Sequence, residues 1–96
     1  MRMIVATFAT EAAANQYQDS LRDGHGIAED TVSTAIIGAY GEQWDGHRVV
    51  AAWVRRELES DVRGLAEAHG GLLHDVSGTV IIPRWVQDFM AARIGP

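Results

Sequence analysis

The run Met3-Ile4-Val5-Ala6-Thr7-Phe8 carries no charge on either parity. Alternate residues of a strand point to opposite sides of a sheet, so Met3, Val5 and Thr7 oppose Ile4, Ala6 and Phe8. Such a strand needs cover on both faces, which a sheet open to water on one side does not provide. Two further segments share the property. In Thr31 to Tyr40, Ile37 and Ala39 oppose Ile36 and Gly38. From His47 to Val54, Val49, Ala51 and Trp53 oppose Val50, Ala52 and Val54. In 96 residues, with 47% hydrophobic side chains, this predicts one domain whose sheet is buried on both sides.

Helical signals separate these runs. Thr10 is placed as an N-cap, Glu11 suits the positive end of a helix dipole, and Ala12-Ala13-Ala14 favours helix. Ala13, Tyr17 and Leu21 form one apolar stripe, and Asp23-Gly24-His25-Gly26 ends the helix. The region from 46 to 69 reads in two ways. Val50, Trp53, Val54, Leu58, Val62, Leu65 and Ala66 fit one long helix 46–69, which would give a small three-layer α/β fold. Alternatively, Asp45-Gly46 is a turn, His47 to Val54 is an antiparallel strand, and a second helix runs over about Glu57 to His69 with a start signal at Ser60-Asp61. The doubly apolar parity of His47 to Val54 favours the split. Gly70-Gly71 closes the helix in either case, and Leu72 to Val76 is another strand. Thr79-Val80-Ile81-Ile82 is an extended run that Pro83 ends, and Trp85, Val86, Phe89, Met90 and Ile94 follow at helical spacing.

The split reading gives strand, helix, strand, strand, helix, strand. This is the α+β, ferredoxin-like βαββαβ order over residues 1–78, with a C-terminal strand and short helix over 79–96. Val5-Ala6-Thr7-Phe8, the acid and alanine-rich helix behind it, and the ending Arg63-Gly64-Leu65-Ala66-Glu67-Ala68-His69-Gly70-Gly71 resemble the bacterial general-stress and heat-induced small α+β domains. The likeness covers roughly residues 3–76 and is one of pattern. The chain is similar also to the dimeric α+β barrel group, with its cofactor-free cyclases, isomerases and monooxygenases. Neither resemblance supplies a catalytic signature to carry over.

Charge and composition narrow the chemistry. The net charge is -5, all eight basic residues are arginine, and Arg55-Arg56 is followed at once by Glu57 and Glu59. No basic face for nucleic acid or an anionic membrane is implied. No apolar run reaches the roughly 20 residues of a membrane span, no leader segment is evident, and a cytoplasmic protein is expected. Cysteine is absent, which excludes disulfides and thiolate chemistry. The four histidines, His25, His47, His69 and His74, show no His-x-x-x-His spacing, so neither metal nor cofactor is expected. Ser77 lies in no nucleophile elbow, and the glycine pairs precede no phosphate-binding helix.

The remaining candidates are aromatic. Trp53 and His74, on neighbouring strands, are the predicted lining of a hydrophobic pocket for a small ligand, with the imidazole as its acid–base group. Trp85, Phe89 and Met90 form the apolar stripe of the last helix and are the predicted interface of a homo-oligomer, because the sheet's second face requires cover. The expected function is a non-enzymatic dimeric module, stress-associated or small-ligand-binding. The alternative is a cofactor-independent barrel enzyme acting on an aromatic or polyketide-like substrate, with catalytic residues unknown.

Overall fold

β1 (Arg2–Phe8) is the axis of the computed structural model, which describes residues 2–38, 46–74 and 84–94. Every side chain from Ile4 to Phe8 is buried. After β1 come α1 (Glu11–His25), β2 (Val32–Ile36), β3 (Arg48–Val54), α2 (Glu59–Ala68), β4 (Leu72–His74) and α3 (Arg84–Ile94). Short 3-10 turns occupy Glu29–Thr31 and Arg56–Leu58. The strands form one sheet in the order β2-β3-β1-β4, with each neighbouring pair antiparallel. The domain is therefore a small α+β fold with a four-stranded antiparallel sheet.

Local chemistry explains most boundaries. Thr10 is extended, and its Oγ1 accepts a hydrogen bond from the Ala13 N–H at 3.2 Å, as an N-cap does. Gly26, at φ 65°, turns the chain left-handed and donates its N–H to the Arg22 carbonyl at 3.2 Å. The stripe of α1 centres on Ala14, Tyr17 and Leu21, one residue round from Ala13, which is half-buried.

Residues 46–69 are a strand followed by a helix, so the single long helix is not formed. Gly46 adopts φ 82°, as the turn dipeptide requires. Ser60 is not the cap, however. The 3-10 turn at Arg56–Leu58 runs straight into α2, with the Leu58 N–H bonded to the Arg55 carbonyl at 2.9 Å, so Ser60 falls within the first helical turn. At the far end the Gly71 N–H bonds the Ala66 carbonyl at 2.8 Å. A Cβ on Gly71 would stand 2.7 Å from the Phe8 ring and 2.9 Å from that carbonyl, so glycine is needed there.

β2 is shorter than the 31–40 run, although Ile37 still exchanges hydrogen bonds with His47 and Gly46 at 2.9 and 2.8 Å. Residues 39–45, including Trp44, lie outside the described residues, as do the rest of the Leu72–Val76 run and the expected strand 79–82.

Both faces of the sheet are covered. On one, Ile4, Ala6 and Phe8 of β1 and Val50, Ala52 and Val54 of β3 pack against Ala14, Tyr17 and Leu21 of α1 and Val62 and Ala66 of α2. On the other, Val5, Val49, Ala51 and Ile37 pack against Val86 and Phe89 of α3, with Met3 and Ala35 at the margin. The chain's own last helix thus supplies cover for the second face. No described helix is long and apolar enough to cross a membrane.

Candidate functional site

The predicted pair Trp53 and His74 share a sheet face, because Trp53 is opposite Met3 and His74 opposite Val5. They flank β1 from opposite sides, two residues out of step. Strand spacing and rise then separate their α-carbons by about 12 Å. The two side chains accordingly have different surroundings.

His74 belongs to the β1–β4 seam. Its Nε2 lies 2.9 Å from the Thr7 Oγ1, and the same hydroxyl is 3.4 Å from the Leu72 carbonyl. When Thr7 gives its proton to Leu72, its oxygen accepts from the Nε2–H of His74, which selects that tautomer. Thr7 is buried, and burial lowers the pKa of His74 below its ordinary 6.5. The imidazole is therefore held neutral and ties β4 to the central strand.

Trp53 stands at the other end of the sheet, 42% exposed, where β3 leaves and β2 enters. It borders a recess of about 170 Å³ with Arg55, His25 and Thr31, over Ile27, Val54 and Leu58. His74 is not among its walls.

A larger feature runs between β2 and α1. Two adjoining recesses of about 290 and 310 Å³ share Asn15, Gln18 and Thr34, and so make one trough between α1 and the end strand. Thr34 and Ile36 point to this side because they pair with Val50 and Arg48, which share the helix-covered face. Charges on the α1 wall are engaged: Arg22 with Asp19 and Asp23 at 3.1 Å each, and Glu11 with Arg48 at 3.8 Å. β2 itself, Val32-Ser33-Thr34-Ala35-Ile36, contains neither a charge nor a proline, and Ile36 is 66% exposed. End strands ordinarily carry such residues to discourage pairing with another chain.

Between α1 and α2, Tyr17 packs on Phe8 with ring centres 5.0 Å apart and lies 6.4 Å from the His69 ring. Its hydroxyl is buried without a hydrogen-bond partner among the described residues, and burial pushes its pKa up to about 12. His69 sits at the end of α2, its Nε2 3.3 Å from the Ser20 hydroxyl. Of the predicted interface residues, Phe89 packs on the chain's own sheet. Trp85 and Met90 lie in α3, and their side chains fall outside the described residues. No cluster of three metal-binding side chains occurs among the described residues.

Periodicity alone does not reveal Thr7 as the partner of His74 or the place of β2 in the sheet. Thr7 and His74 are 67 residues apart and meet only through the β1–β4 register. Comparison with known protein families, curated proteins and solved structures finds no match for this chain.

Proposed function

We propose that the chain is a non-enzymatic, ferredoxin-like module that works as a homodimer, its two copies joined edge to edge through β2. The ferredoxin-like reading is supported by the strand order β2-β3-β1-β4, with α1 and α2 on one face, which is that of a split βαβ pair. The observation that carries the dimer is that β2, the end strand of the described sheet, is uncharged and leaves Ile36 66% exposed. An uncharged end strand with an exposed apolar side chain is the kind of element to which a second chain adds. A second copy fits because an antiparallel contact between two β2 elements is self-complementary, the usual geometry of a two-fold contact. Pairing through the sheet's second face is disfavoured, since Val86 and Phe89 already fill its centre.

Light scattering tests this directly. The wild-type chain is expected at twice its 10.5 kDa mass at micromolar concentration. The double variant Thr34→Lys, Ile36→Lys, both at exposed positions, is expected at the single-chain mass with its melting temperature largely kept. A monomeric wild type, or a dimer indifferent to both lysines, would refute the proposal.

A further inference from the structure

We draw no further inference here: the strongest candidate, the trough between α1 and β2 lined by Asn15, Gln18 and Thr34, has its flanking charges engaged within the chain, and nothing in the structure shows what would occupy it.

Discussion

The two faces of the sheet are made by the same strands yet closed by different means. One is covered by α1 and α2, each joined to its neighbouring strand by a short connection and fixed by a cap or a glycine turn. Among the described residues the other is covered by α3, whose Val86 and Phe89 sit over Val5, Val49, Ala51 and Ile37. Its margins stay open, for Trp53 and Leu72 lie on this side and are 42% and 53% exposed. Covering an apolar sheet face thus need not mean burying all of it. The centre is closed within the chain, and the exposed apolar side chains lie at the rim and on β2.

The largest test of this contrast is a pair of truncations. Phe8→Ala removes a fully buried ring wedged against Tyr17 and Gly71, and should cost about 3–5 kcal/mol in chemical denaturation. Phe89→Ala acts on the thinner layer, where the ring keeps 9% exposure, and should cost about half as much, roughly 2 kcal/mol. Equal losses would erase the distinction between the faces. Gly71→Ala should follow at about 1–3 kcal/mol, because the Phe8 ring and the Ala66 carbonyl must both give way.

Two pH effects sharpen the comparison further, one on each face. Tyr17 titrates near 10 when unfolded and about 12 when folded, so its contribution is complete below pH 10 and is lost as pH rises toward 12. Tyr17→Phe should remove that alkaline loss. At neutral pH it should change stability by less than about 1 kcal/mol, since the hydroxyl has no described partner. His74 works in the opposite sense. Its folded pKa lies below the ordinary 6.5, so stability is full above 6.5 and falls as pH drops through the lowered value. His74→Gln, which retains a donor for Thr7, should flatten that acid slope in a denaturation series, the smallest effect of the set.

Much of the architecture is legible in the sequence. The double parity of β1 demands cover on both sides, Thr10 and the run Asp23-Gly24-His25-Gly26 mark the ends of α1, and Asp45-Gly46 marks the turn that leads into β3. Each of these signals is local, resting on a few adjacent residues. Ser60 misled because a preceding 3-10 turn can satisfy the first helical N–H as well as a hydroxyl can. Site chemistry was less legible, since it depends on register. Strand parity could not tell that Trp53 and His74 share a face but stand on opposite sides of β1. Nor could it give His74 its partner Thr7, or set Arg55 and His25 beside Trp53. That β2 stands at the end of the described strands follows from β3 pairing inward with β1, a long-range fact that no turn motif encodes.

The proposed association uses the end strand β2 and leaves the α3-covered face to the chain itself. Amide hydrogen exchange measured at increasing protein concentration tests it most directly. The account predicts that amides within Val32–Ile36 gain protection as the concentration rises, while those of α3 and of Val49 and Ala51 keep the same protection throughout. Concentration-dependent protection confined to α3 and the face beneath it, with β2 unchanged, would contradict it.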